Sequence, residues 1–385
     1  MGRRPIHESE VRVMIGRVRV FGPAYLDRVL RADGRLLGTS SGPPLDQSVE
    51  GRIGFGADGE GGDGLRLVDP VGATITIGLP DEWPGPRGVV ALEGPIGAEP
   101  GSRSHVQARD WSDDLGGMGA GFAAALGGEL VSALGPEDDP NSRAVAGLLV
   151  REGVQGRRVR VDRPADWTLL VSSGEHGDKL AVGFRGCHAA LEISALRPFL
   201  GEACGVLVAA GLPNRLSADI LKAPGPSLRV FAPAMRNMID RDFPLRGAIG
   251  PVDLLCCNRG EWEALEDREE VAARLSILVV TDGAAGAKAR FTDPYGEARS
   301  VAIPSFPRAR PPRDTNRAGE AFAAFLIAAL LDLGWDPGSC TAAVDLVRAA
   351  MLRASAASAL VLDRTAFGFP TAAEVDAAMA RGLVD

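Results

Sequence analysis

Hydrophobic positions along the chain form alternating patterns and short apolar runs, and both patterns predict β-strands. Alternation of apolar and polar residues over positions 11–21 predicts a first strand. Apolar runs separated by helical stretches follow at positions 206–210, 228–231, 254–257 and 277–280. This arrangement is typical of parallel strands joined by crossover helices. The chain is therefore predicted to be an α/β protein with a mostly parallel central sheet, whose ligand-binding groups follow the carboxyl ends of the strands.

Two further segments predict β-structure of a different kind. Positions 34–110 are rich in Gly, Pro and Asp and contain short β-like runs at 65–68, 74–77 and 89–92. Strand-like runs at 167–172 and 179–184 flank a polar segment that includes His176, which predicts a hairpin with this histidine at its tip.

A loop that becomes a helix is the most informative stretch of the sequence. Three successive residues that favour N-cap positions, beginning with Asp314, precede an apolar helical run that is ended by Gly334. The helix is apolar on almost every side, so we expect it to be buried. Its N-terminus presents amide groups and the positive end of the helix dipole, which bind anions and phosphate above all. Glu320 in the first turn is then a candidate for taking a proton from a substrate hydroxyl group.

A second glycine-rich loop begins at Gly116 and Gly117 and leads into another helical stretch. Gly119, Gly121 and Ala124 have the spacing of a dinucleotide-binding fingerprint. That fingerprint requires a hydrophobic strand immediately before the loop, whereas the preceding positions 105–116 are polar. A dinucleotide oxidoreductase therefore stays an alternative only if the loop follows a strand of the central sheet.

Composition and charge narrow the classes of function. The 385 residues carry a formal charge of −8, and the basic residues are almost all Arg, without a basic stripe that contains aromatic residues. This distribution argues against nucleic acid as a partner. The five cysteines include no Cys-x-x-Cys pair, and no apolar run reaches the length of a membrane span. We expect a cytoplasmic protein with reduced thiols and no membrane partner.

Several motifs resemble those of the ribokinase-like (PfkB-type) carbohydrate kinases. Positions 314–320 resemble that family's Asp-Thr-x-Gly-Ala-Gly-Asp signature. Asn258 and Glu261 match its Asn-x-x-Glu motif, and positions 281–286 match its Thr-x-Gly-x-x-Gly nucleotide loop. The motifs also follow one another in the family's order.

The chain departs from the family's pattern at positions of the site. Arg317 stands where the family has Gly, and Glu320 stands where it has Asp. Gly121 takes the place of an Asn that contacts sugar, and Ala232 takes the place of an Asp. This pattern indicates either a diverged kinase with an unusual substrate or a protein that kept the fold and lost turnover.

The resemblance implies a three-layer α/β/α sandwich with a mostly parallel central sheet and a small β lid. The core is expected to comprise residues 1–33, 111–166 and 186–385. The lid is expected to comprise residues 34–110 and 167–185, enlarged by the Gly- and Pro-rich insertion. Pairing of two subunits through the lid, which gives a homodimer, is a further expectation from the resemblance.

The resemblance also assigns roles to individual residues. It implies that Glu320 is the catalytic base and that the amides of Ala318, Gly319 and Glu320 hold the phosphoryl group, with Arg317 beside them. The residues assigned to the acceptor are Asp27, Gly116, Gly117, Gly121 and Arg185. The residues assigned to nucleotide and Mg²⁺ are Asn258, Glu261, Thr281, Gly283, Gly286 and Asp314, of which Asn258 and Glu261 act on Mg²⁺ through water.

The implied function is ATP-dependent transfer of the γ-phosphoryl group to an alcohol of a small molecule, namely a sugar, a nucleoside or a related polyol. The implied cofactors are ATP, Mg²⁺ and a monovalent cation. The alternative is a catalytically impaired member that binds a nucleotide or metabolite without turnover.

Overall fold

A computed structural model describes residues 18–36, 46–53, 64–96, 100–173 and 178–384. The first part of the strand predicted at 11–21 and the hairpin residue His176 lie outside these residues. In chain order the strands are β1 (Val18–Phe21), β2 (Tyr25–Asp33), β3 (Asp46–Ile53), β4 (Gly64–Val68), β5 (Thr74–Gly78), β6 (Gly88–Leu92), β7 (Arg103–Gly116), β8 (Glu129–Leu134), β9 (Gly156–Arg160), β10 (Trp167–Ser173), β11 (Asp178–Phe184), β12 (Val206–Ala210), β13 (Leu228–Ala232), β14 (Leu254–Asn258), β15 (Ile277–Thr281), β16 (Ala287–Thr292) and β17 (Ala298–Ile303). The helices are α1 (Met118–Leu126), α2 (Pro140–Arg151), α3 (Ile193–Leu200), α4 (Asn214–Leu221), α5 (Met235–Met238), α6 (Arg259–Ala264), α7 (Arg268–Ala272), α8 (Ala318–Asp332), α9 (Val344–Val361) and α10 (Ala372–Arg381). None of these helices combines the length and the apolar character that a bilayer crossing requires.

A nine-stranded sheet forms the centre of the molecule, in the order β17-β16-β15-β14-β13-β12-β1-β8-β9. Neighbouring strands from β9 to β15 pair in parallel, and β16 and β17 add antiparallel pairs at one edge. Strand β12 is buried at every position, as expected for a parallel strand that is covered on both faces. The prediction of a mostly parallel central sheet is confirmed, and the four apolar runs coincide with β12 to β15.

Helices cover both faces of this sheet. Val20 of β1 belongs to a hydrophobic cluster that includes side chains of α1, α8 and α9. The adjacent Phe21 belongs to a second cluster with side chains of α3, α4 and α7. Because consecutive residues of a strand point to opposite faces, the two clusters lie on opposite sides of the sheet. The predicted three-layer α/β/α sandwich is therefore confirmed.

The remaining strands close into a barrel in the order β10-β11-β3-β6-β4-β5-β7-β2. The three short runs predicted in the insertion coincide with β4, β5 and β6, and the predicted hairpin corresponds to the antiparallel pair of β10 and β11. The barrel extends beyond the expected bounds of the lid, since residues 25–33 and 111–116 belong to β2 and β7 instead of the core. Strand β7 was not predicted from the sequence. In its first half only Val106 and Ala108 are apolar and buried, and the other residues are polar.

The second glycine-rich loop follows a strand of the barrel. Gly116 ends β7, and β7 pairs with β2 and β5, not with a strand of the nine-stranded sheet. A dinucleotide fingerprint needs a central parallel strand before its loop. The dinucleotide interpretation of residues 119–124 is therefore wrong.

A buried network joins the sandwich to the barrel where the chain enters β10 and leaves β11. The carboxylate of Asp166 accepts hydrogen bonds from the amide of Gly186 at 2.8 Å and from the amide of His188 at 3.0 Å. Nδ1 of His188 lies 2.5 Å from the same carboxylate, and its Nε2 lies 3.0 Å from Oγ of Ser132 in β8. Burial alone would raise the pKa of Asp166, but the hydrogen bond and charge of His188 hold it well below its ordinary value. These contacts connect the start of β10 and the end of β11 with β8 of the central sheet.

Candidate active site

Helix α8 starts from a strained residue. Arg317, its N-cap, has φ of 66° and ψ of 0°, which is the left-handed region. This conformation costs a residue other than glycine about 1 kcal/mol. Arg317 provides no side-chain cap to the helix. The predicted caps at 314–316 are wrong, because Asp314 instead accepts a hydrogen bond from the amide of Asn316 at 2.8 Å.

The first turn of α8 faces open space. Gly319 is exposed, and a Cβ atom placed on it would meet no heavy atom within 4 Å. Most of the helix beyond Glu320 is buried, as predicted, and the helix ends shortly before Gly334, whose φ is 85°. A buried helix therefore points its positive end and its uncapped amides into a cleft, where they are able to bind an anion.

Glu320 lies in this first turn, against Gly121 of α1. A Cβ atom on Gly121 would lie 3.1 Å from Cγ of Glu320. Burial raises the pKa of Glu320, while its own backbone amide and the charge of Arg317 act in the opposite direction. A raised pKa brings a carboxylate closer to the range in which it works as a general base. The absence of a side chain at Gly121 thus makes room for the longer carboxylate.

Asp27 lies on β2 of the barrel, within electrostatic reach of Glu320. Burial raises the pKa of Asp27 to about 7; the charge of Arg317 opposes this shift, and the charges of Asp114 and Glu320 add to it. The two carboxylates come from positions far apart in the sequence, and the fold brings them together where the barrel meets α8. Buried acidic groups with raised pKa values that act on one another are a frequent feature of functional sites.

The glycine pair of the second loop packs against this part of the barrel. A Cβ atom on Gly116 would lie 2.5 Å from Cγ of Asp27. Gly117 has φ of 101°, and a Cβ atom there would lie 2.3 Å from the carbonyl oxygen of Pro23. Gly117 therefore needs glycine for backbone packing, whereas Gly116 allows the loop to approach the side chain of Asp27, the candidate acceptor-binding carboxylate.

The side chain of Arg317 spans three parts of the molecule. Nη1 donates a hydrogen bond to Oδ2 of Asp114 at the end of β7, at 3.1 Å. Nη2 lies 3.7 Å from Oδ2 of Asp314, and the guanidinium carbon lies 5.9 Å from the ring centre of Phe367. Asp114 also accepts a hydrogen bond from the amide of Phe367 at 3.2 Å. Arg317 therefore connects the barrel with the start of α8 and with the segment after α9.

Arg185 follows β11, and its Nε donates a hydrogen bond to Oε1 of Glu50 at 2.8 Å. Its charge acts on Tyr25, although burial is the main reason that the pKa of Tyr25 is raised. Tyr25 lies two residues before Asp27 on β2, so the two side chains share a face of the strand. Arg185 is thus near the predicted cleft, but its hydrogen-bond partner is Glu50, not Asp27.

The Asn-x-x-Glu motif forms a capping box at the start of α6. Oδ1 of Asn258 accepts from the amide of Glu261, and Oε2 of Glu261 accepts from the amide of Asn258, both at 2.9 Å. Burial raises the pKa of Glu261 to about 7, the amide of Asn258 opposes this, and the charge of Glu320 adds to it. The motif therefore has a structural role, and it also holds Glu261 within electrostatic reach of Glu320.

The carboxylate of Glu261 fits the requirements of a Mg²⁺ ligand. The capping box uses Oε2 of Glu261 and leaves the second carboxylate oxygen for another ligand. Mg²⁺ keeps several waters and is usually bound by one or two carboxylates together with substrate phosphates. Glu261, with Asn258 beside it, is therefore a suitable group to hold hydrated Mg²⁺.

The predicted nucleotide loop lies beside this motif. The register of β14 and β15 places Thr281 opposite Asn258, so both motifs share one edge of the sheet. Gly283 has φ of 50° and begins a single 3₁₀ turn with open space around it. Gly286 has φ of 95°, and a Cβ atom there would lie 2.1 Å from the carbonyl oxygen of Ile303. Gly286 thus has a packing role, and Gly283 leaves the edge of the sheet accessible.

Sequence reasoning missed three groups of the cleft. Asp114 pairs with Arg317, and Lys179 of β11 donates a hydrogen bond from Nζ to Oδ1 of Asn316. Ser173 at the end of β10 is buried, and its Oγ has no hydrogen-bond partner in the part of the chain that the structure describes. The place of Asp114 directly before the Gly116 loop was a usable signal. Lys179 and Ser173 belong to no recognisable sequence motif. They lie near α8 only because the barrel closes, which local sequence does not indicate.

Comparison with known proteins finds similarity in structure only. No family model matches the chain, and no curated protein matches it. A ribokinase from Giardia lamblia aligns with a TM-score of 0.62 and 17% identity over 95% of this chain and 98% of its own. A nucleoside kinase from Burkholderia thailandensis in complex with inosine aligns with a TM-score of 0.58 and 16% identity over 95% and 98%. A ribokinase from Cryptococcus neoformans in complex with ADP aligns with a TM-score of 0.54 and 15% identity over 94% and 99%. Taken with the sheet order and the two helical layers, these alignments show that the chain has the ribokinase-like fold.

Proposed function

We propose that this protein is an ATP-dependent phosphotransferase that acts on an alcohol group of a sugar, a nucleoside or a related polyol. One observation carries the proposal: Glu320 lies in the uncapped first turn of a buried helix, within electrostatic reach of both Asp27 and Glu261. A phosphoryl-transfer site needs an anion-binding group, a base and a cation-binding carboxylate close together. The solved structures with this fold that contain inosine or ADP are consistent with such ligands.

Each group has one task in this proposal. The amides of Ala318, Gly319 and Glu320 bind the phosphoryl oxygens, with the helix dipole adding to the attraction. Asp27 accepts a hydrogen bond from the acceptor molecule and so orients it. Glu320 takes the proton of the attacking hydroxyl group, for which its raised pKa is suited.

The edge of the sheet at β14 and β15 is the proposed site of the nucleotide. Glu261 and Asn258 hold Mg²⁺ through water, and Gly283 leaves room for the nucleotide phosphates. Mg²⁺ bound there would neutralise part of the negative charge of the nucleotide phosphates. The transfer is an in-line displacement: the acceptor oxygen bonds to the γ-phosphorus of ATP as the bond from this phosphorus to the β–γ bridging oxygen breaks. The bridging oxygen leaves with ADP, and the acceptor proton passes to Glu320.

The test is ADP release over a panel of sugars, nucleosides and polyols, together with calorimetric titration of ATP·Mg²⁺. Glu320→Asp is expected to keep activity, whereas Glu320→Gln is expected to lose about 10²- to 10⁴-fold in kcat, because it removes the base. The matched control is Glu263→Gln, an exposed carboxylate on α6 that is expected to leave kcat unchanged.

Three outcomes contradict the proposal in different ways. Equal rates for the wild type and Glu320→Gln show that another group is the base. Tight ATP binding without ADP release for any acceptor favours a binding protein. Absence of ATP binding removes the phosphotransferase function altogether.

A further inference from the structure

A cavity of about 150 Å³ lies between the barrel and the loop before α8. Its lining includes Asp27 of β2, Ser173 of β10, Lys179 of β11 and Arg317. The cavity is therefore formed jointly by the enlarged barrel and by the residue that departs most from the family's pattern. Several buried hydrogen-bond donors of these residues have no partner among the residues that the structure describes.

The guanidinium of Arg317 contributes two of these donors. Its side chain is 9% exposed, and among the described residues only Nη1 has a hydrogen-bond acceptor, Oδ2 of Asp114. Nε and Nη2 are buried without a hydrogen-bond partner in that part of the chain, and Oδ2 of Asp314 is too distant at 3.7 Å. Nε and Nη2 lie on the same edge of the guanidinium, and such an edge binds two oxygens of one carboxylate or phosphate group.

Two further donors line the same cavity. Ser173 is 1% exposed, and its Oγ has no hydrogen-bond partner among the described residues. Lys179 gives one of the three N–H groups of its ammonium to Asn316, which leaves two for a ligand. Burial of a donor without a partner is unfavourable, so donors of this kind indicate a ligand that supplies acceptor atoms.

The backbone of Arg317 supports the same conclusion. Its left-handed conformation is unfavourable for a residue that has a Cβ atom, and glycine would avoid that strain. The same residue therefore carries backbone strain and unpartnered buried nitrogens. Strain of this kind persists where the side chain has a task.

Acidic groups around the cavity restrict how it selects a ligand. Asp114 and Asp314 offset the charge of Arg317, and Asp27 lines the wall as well. Arg31, Lys179 and Arg313 line the cavity too, so four basic side chains face three acidic ones. This small excess of positive charge favours an anion only weakly, and the geometry of the donors decides which anion fits.

We propose that Arg317, with Ser173 and Lys179, binds an oxyanion of the acceptor molecule, either a carboxylate or a phosphate ester. The assignment to the acceptor rests on the proposed phosphotransferase function. Asp27 lines the cavity and also lies within electrostatic reach of Glu320, so one molecule places its oxyanion on Arg317 and a hydroxyl group at Asp27. The acceptor class is then an acidic polyol, either a sugar acid or a sugar phosphate.

The test is calorimetric binding to the full chain without nucleotide, using matched probes. Gluconate is compared with glucitol, and ribose 5-phosphate is compared with ribose, so that the two sources of the oxyanion are distinguished. At least one anionic member is expected to bind about tenfold or more tightly than its neutral counterpart, because charge-assisted bidentate hydrogen bonds are about twice as strong as neutral ones.

Three variants connect this binding to Arg317. Arg317→Gly is expected to remove the preference for the anion, and Arg317→Lys is expected to lose most of it, because lysine keeps the charge without the bidentate geometry. Arg310→Gly makes the same charge change at an exposed position of the same loop and is expected to bind as the wild type does. Circular dichroism checks the fold of each variant, and Arg317→Lys keeps the test valid if the glycine variant does not fold.

The outcomes separate this inference from the phosphotransferase proposal. Equal binding of charged and neutral probes, no binding of an anionic probe up to its solubility limit, or unchanged anion binding by both Arg317 variants overturns the inference. Phosphorylation of a neutral polyol by Arg317→Gly at the wild-type rate also overturns it, although the kinase function then stands. Anion binding that depends on Arg317, without phosphoryl transfer from ATP·Mg²⁺ to any bound probe, supports the oxyanion site and rejects the kinase function.

Discussion

The contact between Gly121 and Glu320 gives the sharpest test of the catalytic assignment. In Gly121→Ala the new Cβ atom would lie 3.1 Å from Cγ of Glu320, 3.4 Å from its Cβ and 3.4 Å from Cζ of Phe369. The closest of these distances is shorter than ordinary van der Waals contact, so the Glu320 side chain has to move by a few tenths of an ångström. The substitution therefore displaces the proposed base without changing its chemistry.

The substitution has opposite effects on stability and on rate. Alanine in place of glycine inside a helix gains about 0.8 to 1 kcal/mol, part of which the tight contact removes. A displacement of about 1 Å at a reacting group costs about 100-fold in rate, so a shift of about 0.3 Å costs about fourfold. Gly121→Ala is expected to be as stable as the wild type or slightly more stable, and to have a kcat about fourfold lower.

The control is Gly147→Ala in α2, where a Cβ atom would meet no heavy atom within 4 Å. This variant is expected to gain the full helical stabilisation and to keep the wild-type rate. Stability is measured by urea unfolding, and rate is measured by ADP release with the acceptor that the panel identifies. In the background of Glu320→Gln, the substitution at Gly121 is expected to cause no further loss, because the base is already absent.

Two results would refute this reasoning. If Gly121→Ala and Gly147→Ala gain the same stability and both keep the wild-type rate, the position of Glu320 does not control the reaction. If the loss caused by Gly121→Ala is equally large in the Glu320→Gln background, the substitution acts through another group, such as the Phe369 ring.

Two further predictions concern buried carboxylates. The pKa of Asp27 is raised to about 7, so the folded protein binds more protons than the unfolded chain between about pH 4 and 7, and its stability falls as pH rises through this range. Asp27→Asn is expected to raise the free energy of unfolding relative to the wild type at pH 8 and less so at pH 5, as measured by urea unfolding; an equal gain at both pH values contradicts the assignment. The pKa of Asp166 is instead lowered, so its contribution to stability is present at neutral pH and is lost only on acidification through its folded pKa. Asp166→Asn is expected to cost about 3 to 5 kcal/mol at pH 7, because it removes the partner of His188 in a buried pair, and a loss below about 1 kcal/mol would contradict this.

Much of the sandwich follows from local pattern. Each apolar run between 206 and 280 became a parallel strand, because a strand that is buried on both faces needs apolar residues at nearly every position. Helix α8 was equally recognisable in the sequence. Its apolar residues on almost every side predict burial, and Gly334 predicts where the helix ends. The proximity of Asp27 and Glu320 was expected from the resemblance to the ribokinase-like kinases. Neither residue alone indicates it.

Other features depend on contacts between distant segments, and local pattern does not contain them. The closure of the barrel follows from pairings such as β2 with β7 and β3 with β11, which join segments far apart in the sequence. The N-cap of α8 illustrates the same limit. Three residues of suitable type precede the helix, but Arg317 takes the position because Asp114 of the barrel binds its side chain.

The amino-acid sequence by itself determined the parallel sheet, the buried helix with its open N-terminus, and the chemical groups present at that end. Only the tertiary structure decided which of those groups meet: Gly121 with Glu320, Asp114 with Arg317, and an unoccupied guanidinium edge with a cavity in the barrel wall. The physical reason is that periodic burial is recorded in consecutive residues, whereas hydrogen-bond partners and clearances of a few tenths of an ångström depend on how separate segments pack.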